Sequence, residues 1–265
     1  MMQILRNVSL AIRFLTILPL PAFLSRKNNG EGEGINSKDF ASSMTFFPLV
    51  GLLIGIFLVI FRKLSLYLSL SSLLSSALIL VIWIWLSGGL HLDGFMDSVD
   101  GFAGGQSRAE ILKIMHDGAI GAKGMLALFS LLLLKYILLV ESFYLPQDAL
   151  LLFTPVIGRW SMVMAAYMGK PAHSDRSLGK LFMDYLGKKE FILATLIMVG
   201  IGFLTFNLPF LYFILVAIVI AWMVLRYSKK RLGGINGDII GAINEVVELF
   251  TLLTYFILNS LIYIF

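Results

Sequence analysis

The sequence predicts an all-α, polytopic integral membrane protein of about seven transmembrane helices, with an amphipathic helix at its N-terminus. Two properties of composition and one of pattern carry that reading. Apolar residues make up 58% of the 265 positions and charged residues only 14%, against roughly 25% charged in soluble domains. Mean hydropathy is +0.90. The apolar residues gather into stretches of about 20, each long enough to cross a hydrocarbon core of about 30 Å. The absence of cysteine excludes disulfides and thiolate ligands. A net charge of +5 in such a chain points to cytoplasmic loops and anionic headgroups rather than to nucleic acid.

The first segment, about 1–20, carries Arg13 within its apolar run and ends at Pro19 and Pro21. It reads as a helix lying on or dipping into the membrane, not as a cleaved signal. Residues 24–40, with Asn28, Asn29, Gly30, Gly32 and Gly34, read as a loop. Spans follow at about 42–61, 68–86, 125–144, 149–168, 191–207, 209–226 and 247–265. The connections 87–123, 169–190 and 227–246 are long and polar; the others are short. No internal repeat or soluble domain interrupts what reads as one membrane-embedded domain, 1–265. If seven spans alternate, only Arg62 and Lys63 of the 21 Lys and Arg fall on the far side, and Lys135 and Arg159 lie within spans. The remainder share one side. That asymmetry places the long polar segments in the cytoplasm, facing inward from the cell membrane.

The strongest chemical signal follows the second span: GGLHLDGFMDSVDGF at 88–102. Asp93, Asp97 and Asp100, spaced by four and three, fall within about 60° of arc on a helix. Three anions on one face repel each other, and a divalent cation would convert repulsion into binding. Oxygen-only ligands point to Mg²⁺ or Mn²⁺; the plain alternative is a solvated acidic face. His91 lies about 160° from that face, so it contacts substrate or serves structure rather than sharing the metal. The neighbouring glycines, Gly88, Gly89, Gly94, Gly101, Gly104 and Gly105, would let backbone N–H groups approach phosphate.

A second cluster, IMHDGAIGAKG at 114–124, offers Asp117 and Lys123 as substrate-lining residues or as a polar cap on the third span. A third, KKRLGGINGDIIGAINEVVE at 229–248, puts Asp238 and Glu245 on one helical face, with Gly241 between them and Glu248 near the edge. Lys230 and Arg231 either hold phosphates or anchor the cytoplasmic end. Arg159, costly inside a span, needs an acidic partner such as Glu141 or a substrate phosphate. The segment 169–190, with Lys170, His173, Ser174, Asp175, Arg176 and Lys180, reads as a basic lid or a solvated loop.

At these residues the chain resembles the cobalamin synthase (adenosylcobinamide-GDP ribazoletransferase) family. The signature GGLHLDGFMDSVDGF is joined in order by RFLTILPLP at 13–21, FFPLVGLLIG at 46–55, ILKIMHDGAIGAKG at 111–124, the Gly158–Arg159 pair and RLGGINGDIIGAINEVVE at 231–248. The resemblance implies a Mg²⁺-dependent transfer of GDP-activated adenosylcobinamide to α-ribazole or its 5′-phosphate with release of GMP. It implies Asp93, Asp97 and Asp100 as catalytic and metal residues, Asp97 or Asp100 taking the hydroxyl proton, and Asp238 and Glu245 completing the metal shell. Membrane lipid is the surrounding partner, and homo-oligomerisation is left open. Two other classes compete. A CDP-alcohol phosphotransferase also uses an Asp-rich helix, but DGFMDSVDGFAGG lacks that family's Ala-Arg. A secondary transporter would put its carboxylates near mid-membrane.

Overall fold

A computed structural model describes residues 2–19, 37–145, 147–172 and 178–262. Residues 24–36 of the loop expected at 24–40, and His173, Ser174, Asp175 and Arg176 of the expected lid, lie outside these residues; 37–40, expected in that loop, are helical. All the elements described are helical. They are α1 (Met2–Leu15), α2 (Ser37–Ser43), α3 (Phe47–Tyr67), α4 (Ser72–Leu86), α5 (Leu90–Gly104), α6 (Arg108–Met115), α7 (Ala122–Glu141), α8 (Gln147–Met168), α9 (Leu178–Tyr185), α10 (Lys188–Phe206), α11 (Phe210–Leu232) and α12 (Gly237–Ile262). A 3₁₀ turn, Met44–Phe46, joins α2 to α3.

Six helical segments are long and apolar enough to cross a membrane: Ser37–Tyr67, α7, α8, α10, α11 and α12. The remaining expected span, 68–86, is α4, whose 15 residues reach about 22 Å. It turns through 87° into α5. The turn is made by Gly88 (φ 63°) and Gly89 (φ 69°), a pair of left-handed conformations that a side chain would strain. The seven apolar runs are therefore matched by seven apolar helices, and α5 is angled away from α4. α1 ends at Leu15, before Pro19, and packs Asn7, Ala11 and Leu15 inward. It is not among the spanning helices, as its interrupted apolar run suggests.

α8 forms the centre, almost wholly buried, with α3 and α12 against it. Gly51 and Gly55, four residues apart on α3, bring that helix onto the α8 backbone. A Cβ on Gly55 would sit 2.7 Å from Leu152 Cα. This is the small-residue contact by which membrane helices approach closely. α7, α10 and α11 lie outside and expose Leu126, Phe129, Leu204, Leu211 and Leu215, an apolar surface suited to lipid.

The two ends differ in chemistry. At one end Asp148 holds Arg62 (2.8 Å) and Lys63 (3.4 Å), the two basic residues assigned to the far side. There too Tyr136 Oη donates to Leu73 O (3.3 Å), tying α7 to the start of α4. The opposite end carries α5, α6 and the starts of α7 and α12.

Candidate active site

α5 is the platform of the site. Because it is helical through Leu90–Gly104, Asp93, Asp97 and Asp100 share a face as their spacing requires. Its position is set by three contacts. Gly94 lets α12 in closely: a Cβ there would lie 2.8 Å from Asp238 Cα, so Asp238 enters the acidic face by backbone proximity. The last carbonyls of α5 are bonded by cations, Lys123 Nζ to Ala103 O (2.8 Å) and Arg231 Nη2 to Gly105 O (2.8 Å). Cations there also complement the negative end of the helix dipole. Finally, Asp100 accepts hydrogen bonds from the backbone N–H groups of Gly121 (2.9 Å) and Gly124 (2.8 Å), at the positive N-terminus of α7. A Cβ on either glycine would overlap the Asp100 carboxylate.

Asp238 is held in turn by Asn236. The Asn236 side chain donates to Asp238 Oδ2 (2.7 Å) and accepts from Ile239 N (3.1 Å), capping α12. The Asp97 carboxyl is pushed up to about 6, first by burial, then by the charges of Asp93, Asp238 and Asp100; His116 acts in the opposite direction. Four carboxylates from α5 and α12 thus feel one another around Asp97. His116, whose Nδ1 meets Leu112 O at 2.6 Å, stands beside them.

The remaining expected residues fall elsewhere. Glu245 is not brought to the acidic face. It lies about two turns deeper on α12 and pairs with Lys135 (2.6 Å), which also holds Glu248 (2.8 Å). Arg159, fully buried, bonds Glu248 and Asn244, not Glu141 and not a surface phosphate site. Lys135, Arg159, Glu245 and Glu248 form a charge-balanced network inside the bundle, the arrangement that makes intramembrane charge tolerable. Carboxylates near mid-membrane, a mark of transporters, are thus present but neutralised by their own cations. Arg231 and Lys123 act on backbone carbonyls, while Asp117 and Lys230 are exposed. His91 is buried, packs against Gly241 of α12, and leaves Nε2 without a hydrogen-bond partner. The glycines expected to cradle phosphate mostly serve packing: Gly94 against α12, Gly105 against Ile111.

Sequence reasoning passed over His116 and Asn236. His116 adjoins Asp117 within the second cluster, and Asn236 stands two residues before Asp238 in a capping position, a signal that was available.

The all-oxygen donors, and an Asp97 carboxyl raised first by burial and then by its acidic neighbours, fit a hard divalent cation. Among the described residues, no three His, Asp or Glu side chains converge closely enough to enclose one.

No solved structure matches the chain. The adenosylcobinamide-GDP ribazoletransferase of Desulforamulus reducens is 36% identical over 244 residues, covering 91% of this chain and 92% of the relative. The proteins of the same name from Thermoanaerobacter sp. and Clostridium acetobutylicum are 30% and 31% identical, each over 96% of this chain and nearly all of theirs. With residues 7–256 matching the family described as Cobalamin-5-phosphate synthase, and with the acidic helix and the Asp238 end of α12 inside that range, the chain belongs to this family.

Proposed function

We propose that the chain transfers an adenosylcobinamide phosphate from its GDP-activated form to the hydroxyl of α-ribazole or its 5′-phosphate, releasing GMP at the cytoplasmic face of the cell membrane. The observation supporting this most directly is the gathering of Asp93, Asp97, Asp100 and Asp238 from two helices at one end of the bundle, in a chain of this family. The hydroxyl oxygen forms a bond to the corrinoid-linked phosphorus, the bond from that phosphorus to the oxygen bridging to GMP breaks, and GMP leaves with the electron pair. Asp97 takes the hydroxyl proton. Asp100 is less suited, since both its oxygens already accept backbone N–H groups. Asp93, Asp97 and Asp238, which do not converge on a common point by themselves, would have to draw together to hold Mg²⁺. Bound there, the ion supplies neutralisation of the diphosphate charge. Lys123 and Arg231 keep the acidic helix in place through its C-terminal carbonyls.

Purified protein in lipid, given GDP-cobinamide and α-ribazole, should release GMP only with a divalent cation present. Asp93→Asn and Asp97→Asn should each lower kcat at least 10²-fold, about 2.7 kcal/mol. Ser98→Ala, on the buried side of α5, should stay within a few fold. Near-normal turnover by both Asp variants would sink the assignment.

A further inference from the structure

A cavity of about 160 Å³ lies beside the acidic face, lined by Phe14 of α1, Phe47 of α3, Phe182 of α9, Leu90 and His91 of α5, and Asp238 of α12 among others. Its wall is aromatic: the Phe14 ring stands 6.0 Å from Phe47 and 5.2 Å from Phe182, and Phe47 stands 5.8 Å from Phe182. An apolar cavity of about 150 Å³ suffices for a benzene ring, and aromatic walls favour a flat guest through stacked and edge-on contacts. Two polar groups interrupt the lining. One is Asp238, whose backbone packs against Gly94 of the acidic helix and so marks the side of the cavity facing the reaction. The other is His91, 2% exposed, whose Nε2 has no partner. A buried imidazole nitrogen left unpaired costs free energy unless a ligand meets it.

We infer that this chamber seats the flat heteroaromatic base of the acceptor nucleoside, with His91 Nε2–H donating to the ring nitrogen not bonded to the sugar. The inference rests on the transferase reading above and assigns the acceptor's half of that site. The base fills the phenylalanine-lined space, the sugar emerges past Asp238 and Gly237, and its hydroxyl is delivered to the Asp face. A lipid acyl chain would use the apolar walls but leave His91 unpaired.

Gly237 provides the test, because it lines the cavity and a Cβ there would meet nothing within 4 Å. An alanine methyl at this position therefore meets no protein atom, and a leucine extends the side chain further into the space. Direct binding of a benzimidazole riboside to the full-length protein in nanodiscs, followed by the ligand's own fluorescence, reads the chamber independently of turnover. Gly237→Leu should weaken it at least tenfold, and Gly237→Ala less. On the parent protein, an indole riboside, which lacks the second ring nitrogen, should bind about tenfold more weakly than the benzimidazole; His91→Leu should erase that preference. Unchanged affinity in Gly237→Leu, or equal binding of the two ribosides to the parent, would overturn the inference even if GMP is released normally. Absence of GMP release from a protein that still binds the riboside in this Gly237- and His91-dependent way would overturn the proposed reaction and leave the chamber standing.

Discussion

Replacing Lys135 with methionine removes one charge from the buried network and keeps most of the side-chain volume. In the parent, Lys135 Nζ lies 2.6 Å from Glu245 and 2.8 Å from Glu248, and Arg159 holds Glu248 from the other side. The substitution leaves two carboxylates against one guanidinium, all nearly solvent-free. Removing one partner of a buried pair costs about 3–5 kcal/mol, because the other charge stays desolvated and unpaired. At 1.4 kcal/mol per tenfold, the folding equilibrium should fall by roughly 10²–10³·⁵. Adding Glu245→Gln to Lys135→Met restores charge balance, so the double variant should recover most of the loss. Trp83 gives a local probe, since Lys135 Nζ sits 5.1 Å from the centre of its ring. Denaturant titration in mixed micelles, followed by tryptophan fluorescence and by helical circular dichroism, measures all three proteins. A Lys135→Met protein as stable as the parent, or a double variant no better than the single one, would refute the view that these charges depend on one another.

Other perturbations address the acidic face and the topology. Because Asp97 holds its proton up to about pH 6, and a divalent cation binds the ionised form, affinity for Mn²⁺ should be level well above pH 6 and fall as pH drops through it. Cation addition near pH 6 should release protons that are not released at pH 8; equal release at both would count against the shift. Asp100→Asn should loosen the first turn of α7, since an amide offers one acceptor where two backbone N–H groups need one each. Faster hydrogen exchange at Gly121 and Gly124 than in the parent is the expected reading, and unchanged exchange would remove this role. The chain contains no cysteine, so single cysteines report sidedness cleanly. Ser107→Cys and Lys230→Cys should label from the same side and Tyr144→Cys from the other; any other pattern breaks the seven-helix arrangement.

Much of the fold was legible because lipid simplifies the problem. A span must be long, apolar and helical, so the apolar runs marked α3, α4, α7, α8, α10, α11 and α12 without tertiary knowledge. Asp93, Asp97 and Asp100 were legible for a related reason: within one helix, spacing alone fixes which side chains share a face. Asp238 and Glu245 show where that logic stops. They do share a face of α12, but a face seven residues long passes different neighbours at different depths. Asp238 meets Gly94, and Glu245 meets Lys135, 110 residues away. Nothing local in the sequence encodes that pairing. Gly88 and Gly89 were noticed for backbone freedom, yet their use is to turn the chain through 87°. Composition announces such freedom without saying what will exploit it.

The buried network also sets a problem of timing during synthesis. Lys135 and Arg159 belong to α7 and α8, whereas their anions Glu245 and Glu248 stand on the last helix, 110 and 89 residues later. At about 5–20 residues per second, the two cations emerge several seconds before any carboxylate able to neutralise them. Each costs roughly 2.5–3.5 kcal/mol at the centre of an inserted helix. Until α12 arrives, α7 and α8 are therefore poorly suited to free residence in lipid and are kept near water or the insertion machinery. The final helix closes the bundle electrically as well as sterically, so a chain ending before Glu245 would retain its apolar spans and still lack the charges that let two of them settle.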